Sequence, residues 1–71
     1  PFQGHFASLD DWCTPAAADA LEAALPSSGV AYEMHRYEAE HAFFTDTLSS
    51  YDAASAELSW QRTLDFLGRH L

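Results

Sequence analysis

The sequence predicts an α/β fold in which two parallel strands flank a helix, and a loop then leads into a second helix. Three patterns carry this prediction. Strand-like runs lie at 2–7 and 30–37 with a helix-like run between them, and a longer run with helical spacing covers 53–70. A helix that connects two neighbouring strands makes a β-α-β unit, whose strands are parallel and whose crossover is right-handed. We therefore expect a β-α-β-loop-α segment.

The first predicted strand, residues 2–7, alternates weakly and carries two phenylalanines around Gly4. A short buried strand fits this composition better than a helix does. Small and acidic residues at 8–11 then interrupt the pattern, so a loop is expected there.

The first predicted helix covers residues 16–25. Thr14 supplies a hydroxyl at the N-cap, and Pro15 occupies the first helical position. The proline, serines and glycine at 26–29 are typical of a helix end. The apolar face is predicted from helical spacing. It consists of Ala17, Leu21 and Ala24 or Leu25.

The second strand and the last helix carry the clearer patterns. In the strand at 30–37, Val30, Tyr32 and Met34 alternate with Ala31, Glu33, His35 and Tyr37. Asp52 is the expected N-cap of the helix over 53–70. The apolar stripe of that helix follows helical spacing. Its members are Ala53, Ala56, Trp60, Leu64, Leu67 and Leu71.

The size of the chain indicates that its sheet is unfinished. Seventy-one residues form at most one small domain, whose core supplies only about 3–5 kcal/mol. Parallel sheets are normally covered on both faces and contain more than two strands. The chain also starts at Pro1 and already reads as a strand at its second residue. We expect residues 1–71 to be one partial domain, completed by more of the same α/β domain or by a second copy.

Composition argues against several classes of partner. Eleven acidic residues, three arginines and no lysine give a net charge of −8, which repels phosphate backbones, so no nucleic-acid partner is expected. The apolar runs are far shorter than the roughly 20 residues that span a bilayer, and no signal peptide is apparent. The single cysteine, Cys13, excludes an internal disulfide and is typical of a cytoplasmic protein.

Two loops contain the residues that could carry chemistry. Asp10 follows the first strand, and His41 lies in the loop after the second strand. The carboxyl ends of parallel strands meet at one edge of a sheet, so the two side chains can meet there. A carboxylate that binds one ring nitrogen fixes the histidine tautomer and leaves the other nitrogen as a general base. The alternative is an aspartate that caps a turn and a histidine that is merely packed.

Aromatic residues beside this pair are candidates for a substrate pocket. Phe43 and Phe44 follow His41, and Trp12 follows Asp10. Phe43 and Phe44, directly after His41, would shield one side of the imidazole from water, as a base in a closed site requires. Trp12 and Trp60 are also interpreted as packing residues rather than as a ligand box.

Other polar residues point to structure rather than to chemistry. Cys13 is interpreted as a small buried residue, and His5 as a core histidine whose hydrogen bonds are satisfied. No metal site is expected, because Glu38, Glu40 and His41 diverge in a loop. His35 and His70 are expected at the surface, and Arg36 is expected to pair with a nearby acid.

The sequence resembles the C-terminal third of the dienelactone hydrolase (carboxymethylenebutenolidase) family over essentially its whole length. The more specific matches are the block from His41 to Asp46 and the final helix with Trp60-Gln61-Arg62-Thr63-Leu64. Looser matches are Gly4 to Asp10, His35-Arg36-Tyr37 and Tyr51 to Ala54. The order of acid, strand, histidine and helix is also that of the last two strands of an α/β hydrolase.

The resemblance implies an α/β-hydrolase fold and a catalytic triad. Asp10 would be the triad acid and His41 the base, with Asp10 favoured over Asp11 by the Gly-x-Phe-x-x-x-Asp spacing. The cysteine or serine nucleophile of the family lies on a Gly-x-Cys-x-Gly elbow, which this chain lacks. The nucleophile is therefore expected upstream, in a larger parent enzyme.

The implied substrate is a small ester or lactone, and no metal or organic cofactor is implied. Members that act on dienelactone carry an arginine shortly after the histidine, whereas residues 42–45 contain none. The resemblance therefore leaves the particular ester open. The alternative function is a non-catalytic remnant that acts as a self-associating or binding module.

Overall fold

The computed structural model describes all residues from 1 to 71, and it confirms a mixed α/β architecture with the predicted order of elements. The strands are β1 (Phe2–Ala7) and β2 (Tyr32–Tyr37), and the helices are α1 (Pro15–Ala24) and α2 (Ala53–His70). A 3-10 turn, Leu25–Ser28, follows α1. The bounds of β1 and α2 agree with the prediction. β2 begins two residues later than predicted, because the left-handed Gly29 (φ 77°) redirects the chain just before it.

The two strands form a parallel sheet, as predicted. The register pairs Phe2 with Tyr32 and Ala7 with Tyr37, so the strands also end at the same level. Hydrogen bonding continues past these ends, because the amide of Ser8 donates to the carbonyl of Tyr37 (2.7 Å) and that of Leu9 to Ala39 (3.0 Å). The loops that carry Asp10 and His41 therefore leave the sheet side by side.

Helix α1 begins with the predicted cap, since the Thr14 hydroxyl accepts a hydrogen bond from the amide of Ala17 (3.2 Å). The prediction of its apolar face was right for Leu25, one of the two alternatives at its end, and wrong for Ala17 and Leu21. Ala18 and Leu25 are buried, whereas Ala17 and Ala24 are exposed. A helix made mostly of alanine has nearly uniform faces. Packing against β1, and not the spacing of the apolar residues, therefore determines which side is buried.

Helix α2 packs through a face adjacent to the predicted stripe. Its buried residues are Ala56, Ser59 and Phe66. The predicted stripe was wrong for most of its length, because Trp60, Leu64 and Leu67 each remain between 42% and 47% exposed and Leu71 is 97% exposed. A sheet of only two strands offers too little surface to cover this side of the helix.

The N-cap of α2 differs in detail from the prediction. Asp52 occupies the predicted N-cap position, but its carboxylate accepts a hydrogen bond from the Ser55 hydroxyl (2.6 Å) rather than from a backbone amide. Neither helix combines the length and the hydropathy that crossing a bilayer would require.

The main buried cluster lies where the strands end. It consists of Ala7, Tyr37, Ala39 and Phe43. Two of these residues end the strands, and the other two belong to the loop after β2. The best-packed part of the chain is therefore the part that supports the loops with Asp10 and His41.

Candidate active site

The Asp10 carboxylate is fixed by its own loop. Its Oδ1 atom accepts hydrogen bonds from the backbone amides of Trp12 (2.8 Å) and Cys13 (2.9 Å). This is the local side-chain-to-backbone turn that aspartate favours. Asp10 is buried, with 8% of its surface exposed. Only its second oxygen is left to face another side chain.

The imidazole of His41 meets that second oxygen. His41 Nδ1 lies 2.7 Å from Asp10 Oδ2, although the two residues are 31 positions apart. An ionised carboxylate can only accept hydrogen bonds, so Nδ1 is the donor and a neutral ring carries its lone pair on Nε2. Nε2 has no hydrogen-bond partner within the chain. A histidine in this state can accept a proton.

The surroundings of Asp10 favour its ionised form. Burial on its own raises the pKa of the Asp10 carboxyl. Hydrogen bonds from His41 and from the amides of Trp12 and Cys13 outweigh burial and bring the pKa below its ordinary value. Asp10 therefore stays negatively charged at neutral pH, and its charge stabilises an imidazolium on the adjacent ring when one forms.

The loop after His41 is held at both ends. Ala42 adopts a left-handed conformation with φ 61°, which turns the chain directly after the histidine. Phe43 then packs on Tyr37, with ring centroids 5.0 Å apart. The carbonyl of Phe43 accepts a hydrogen bond from the amide of Asp52 (3.0 Å). The position of His41 is thereby coupled to the end of β2 and to the start of α2.

A cleft of about 460 Å³ opens beside the Asp10–His41 pair. This volume is in the range of small-molecule sites, which are mostly apolar with a few polar groups. The cleft contains aromatic side chains together with polar residues, among them Asp10, His41 and Thr63. The aromatic members are Phe6, Phe43, Phe44 and Trp60.

The three residues predicted for a substrate pocket differ in their position relative to this cleft. Phe43 and Phe44 line the cleft, and Trp12 does not. Trp12 instead stacks on the ring of His41, with centroids 5.7 Å apart and planes 25° apart. Trp60 lines the cleft and lies 6.4 Å from Phe44. Sequence periodicity assigned Trp60 to a packed stripe and gave no sign that it borders this space.

His5 also lines the cleft, but its ring nitrogens are occupied. Nδ1 lies 2.7 Å from the hydroxyl of Tyr37 and Nε2 lies 2.8 Å from Oε1 of Gln3. The expectation of a satisfied histidine is confirmed. Burial lowers the pKa of His5, the charges of His35 and Arg62 lower it further, and the charge of Glu33 partly opposes them. His5 is therefore a poor alternative to His41 as a base.

The predicted environment is confirmed for Arg36 but not for His35. Arg36 pairs with Asp19 (2.8 Å) and Glu22 (3.0 Å), as expected. His35 is half-buried and lies 3.1 Å from Glu33, so the expectation of a plain surface position was wrong. The alternating pattern of β2 did not reveal that α2 covers part of this side.

Cys13 borders the same cleft and is only half-buried. Its expected full burial was wrong, because it lies on the loop around Asp10 rather than within a packed element. No group of three or more histidine, cysteine, aspartate or glutamate side chains is arranged to hold a metal ion.

The fold and the site together define an α/β chain that carries a carboxylate–imidazole pair at the ends of two parallel strands. A comparison with protein-family models matches the dienelactone hydrolase family over residues 1–71. The chain belongs to the dienelactone hydrolase family, which implies a hydrolase as its parent protein. No curated protein and no solved structure matches the chain.

Proposed function

We propose that residues 1–71 supply the acid and the base of a catalytic triad in a carboxylic ester hydrolase. Asp10 is the acid, His41 is the base, and a cysteine or serine nucleophile lies outside these residues. The observation that carries the proposal is the 2.7 Å contact between His41 Nδ1 and Asp10 Oδ2, with Nε2 left unpaired. Membership in the dienelactone hydrolase family supports hydrolysis as the reaction.

The proposed mechanism follows from the free nitrogen. Nε2 of His41 takes the proton of the thiol or hydroxyl while the nucleophile attacks the ester carbonyl carbon. The imidazolium then returns this proton to the departing alcohol oxygen as the C–O bond breaks, and an acyl-enzyme is left. Nε2 next deprotonates a water molecule, which attacks the acyl carbon. The imidazolium returns this proton to the sulfur or oxygen of the nucleophile as its bond to the acyl carbon breaks, so that the acid is released and neutral His41 is restored. Throughout, Asp10 holds the ring and balances its charge.

The cleft supports a small ester or lactone as the substrate. Its walls carry Phe43, Phe44 and Trp60, which suit an apolar part of the substrate. No arginine or lysine lines it, so the cleft residues of this chain offer no cationic partner for a substrate carboxylate. The cytoplasm is the proposed location, and the free thiol of Cys13 supports it.

The exposed side of α2 supports a second part of the proposal, namely that residues 1–71 are one partial domain of an α/β-hydrolase fold. Trp60, Leu64 and Leu67 present an apolar stripe, and the two-stranded sheet leaves one edge of each strand unpaired. More strands and helices of the same domain would cover both. The mass of the native polypeptide tests this part of the proposal. A polypeptide of about 25 kDa, which is within the size range of one domain, would support it. A native polypeptide of 7.9 kDa that pairs with a second copy would contradict it.

The same exposed stripe favours the second candidate function, a binding or self-associating module without catalysis. In that case the Asp10–His41 contact would only hold the two loops together. The two candidates differ in whether the imidazole is needed for hydrolysis.

Hydrolysis of p-nitrophenyl acetate by the full-length protein distinguishes them. His41→Ala should lower kcat by at least about 10²–10⁴-fold, the usual contribution of a general base. His70→Ala is the matched control, because His70 is exposed near the end of α2 and should keep the wild-type rate. Residual activity in His41→Ala close to that of His70→Ala would contradict the triad and favour the binding module.

A further inference from the structure

Trp12 is a large aromatic side chain with no part in the mechanism above. It is 83% exposed, and its one aromatic partner in the chain is the ring of His41. The centroid separation of 5.7 Å and the interplanar angle of 25° describe an offset stack. The indole therefore covers part of one face of the imidazole.

The backbone fixes where this indole lies. The Trp12 amide donates to Asp10 Oδ1 at 2.8 Å, and the Cys13 amide donates to the same atom at 2.9 Å. One tight turn thus clamps the acid and at the same time directs the indole toward the ring of His41. The acid and the indole contact the imidazole in different ways, one at Nδ1 and the other on its face.

The imidazole needs a second restraint. Half of the His41 side chain is exposed (53%), and its hydrogen bond to Asp10 is the one polar contact it makes. A single hydrogen bond leaves the ring free to tilt about the Nδ1–Oδ2 direction. A tilt of this kind would move Nε2, the atom that must face the nucleophile.

We propose that Trp12 is a positioning residue that restrains the tilt of the His41 imidazole by stacking on its face. This inference rests on the proposed role of His41 as the base. It differs from the pocket role expected from the sequence, because an indole outside the cleft acts on the histidine rather than on the substrate.

Kinetics of the full-length protein with p-nitrophenyl acetate test the role. Trp12→Ala should lower kcat by about 2- to 10-fold, which is the interaction free energy of one aromatic pair converted into a ratio of rates. KM should stay nearly constant because Trp12 does not line the cleft. Trp12→Phe keeps a stacking ring and should restore most of the rate. Leu9→Ala is the control, because Leu9 is also exposed (61%) and lies on the same loop.

The kinetic outcomes separate the possible roles of Trp12. A higher KM with an unchanged kcat would overturn the proposal and make Trp12 a substrate contact. The proposal would also be overturned if Trp12→Ala behaved like Leu9→Ala. A lower kcat that phenylalanine does not rescue would overturn a stacking role.

NMR of the full-length protein with ¹³C-labelled histidine Cε1 gives a readout that does not depend on catalysis. The indole should shift the His41 signal upfield, and Trp12→Ala should remove that shift while the His70 signal stays in place. An unchanged His41 signal in Trp12→Ala would show that there is no stack. If His41→Ala keeps its activity, the proposed function fails, and the positioning role fails with it even where the stack is observed. If His41 is essential but Trp12→Ala has the wild-type kcat, only the present inference fails.

Discussion

The hydroxyl of Tyr37 lies 2.7 Å from Nδ1 of His5, so the last residue of β2 is tied to the middle of β1. Tyr37 is also 5% exposed and packs on Phe43, two residues after His41. One side chain thus joins the sheet to the loop that carries the proposed base.

Removing this hydroxyl should destabilise the protein without changing its shape. Tyr37→Phe leaves His5 Nδ1 without its partner and should lower the free energy of unfolding by about 0.5–1.5 kcal/mol. Urea unfolding measures the difference. Tyr32→Phe is the matched control, since Tyr32 lies on the same strand and is 38% exposed, and it should be close to neutral. An equal loss in both variants would show that the Tyr37–His5 contact contributes nothing specific.

Replacing the proposed acid should disable the histidine while keeping the turn. An asparagine at position 10 can still accept from the amides of Trp12 and Cys13, but it brings no charge to His41 Nδ1. We expect kcat for p-nitrophenyl acetate to fall by about 10²–10⁴-fold in Asp10→Asn. ¹⁵N NMR should show that neutral His41 loses its preference for the Nδ1–H tautomer.

Asp11→Asn is the control for that experiment. Asp11 is the adjacent carboxylate, is exposed and pairs with no side chain. It should keep both the wild-type rate and the tautomer. A larger loss of kcat in Asp11→Asn than in Asp10→Asn would assign the role of triad acid to Asp11 instead of Asp10.

The left-handed Ala42 predicts an unusual response to glycine. At φ 61° an alanine carries a strain of about 1–2 kcal/mol, whereas glycine costs about 0.5–1 kcal/mol in chain entropy. Ala42→Gly should therefore raise the free energy of unfolding slightly, and Ala42→Val should lower it.

The exposed Ala20 in the middle of α1 provides the contrast for this prediction. Ala20→Gly should destabilise the protein by about 1 kcal/mol, as glycine does inside a helix. The same chemical change is thus expected to have opposite signs at two positions, and urea unfolding of both variants checks it. A loss of stability in Ala42→Gly would contradict a strained turn after His41.

The acid limb of the stability curve should depend on Glu33. Hydrogen bonds from Arg69, Gln3 and His35 lower the pKa of Glu33 from 4.5 to about 2, although burial opposes them. A depressed folded-state pKa stabilises the fold above the unfolded-state value, and this stabilisation is lost as pH falls toward the folded-state value. It should therefore be complete above pH 4.5 and disappear between pH 4.5 and about 2.

Unfolding free energies measured from pH 6 to pH 2 test this dependence. Glu33→Gln should be less stable than the wild type at pH 6, and the two curves should converge near pH 2. Glu38→Gln is the control, because Glu38 is exposed and pairs with no side chain. Curves for the wild type and Glu33→Gln that stay parallel down to pH 2 would contradict the depressed pKa.

The sequence contained enough information to locate the elements but not their contacts. Strand composition and cap residues gave the bounds of β1 and α2, because these signals are local. The buried face of α2 was wrong because periodicity finds the most apolar side of a helix, whereas burial depends on which neighbours are present. Trp60 and Leu64 are therefore exposed although their pattern is that of a core.

The site shows the same division between local and tertiary information. The parallel topology was sufficient to expect Asp10 and His41 at one edge of the sheet. The turn around Asp10 had a recognisable local signal, an aspartate followed by the amides of residues two and three positions later. The stack of Trp12 on His41 and the bond from Tyr37 to His5 had none, because they depend on side-chain directions that only the assembled sheet determines.

The contacts that orient His41 all come from within residues 1–71, whereas the proposed nucleophile comes from elsewhere. If the proposed triad is correct, its acid and its base form one structural unit that does not depend on the identity of the nucleophile. Cysteine and serine could replace one another on the remote elbow during evolution without any compensating change around the imidazole. Among related proteins, the residue at the nucleophile position should therefore vary between cysteine and serine, while the geometry of the Asp10–His41 pair is retained.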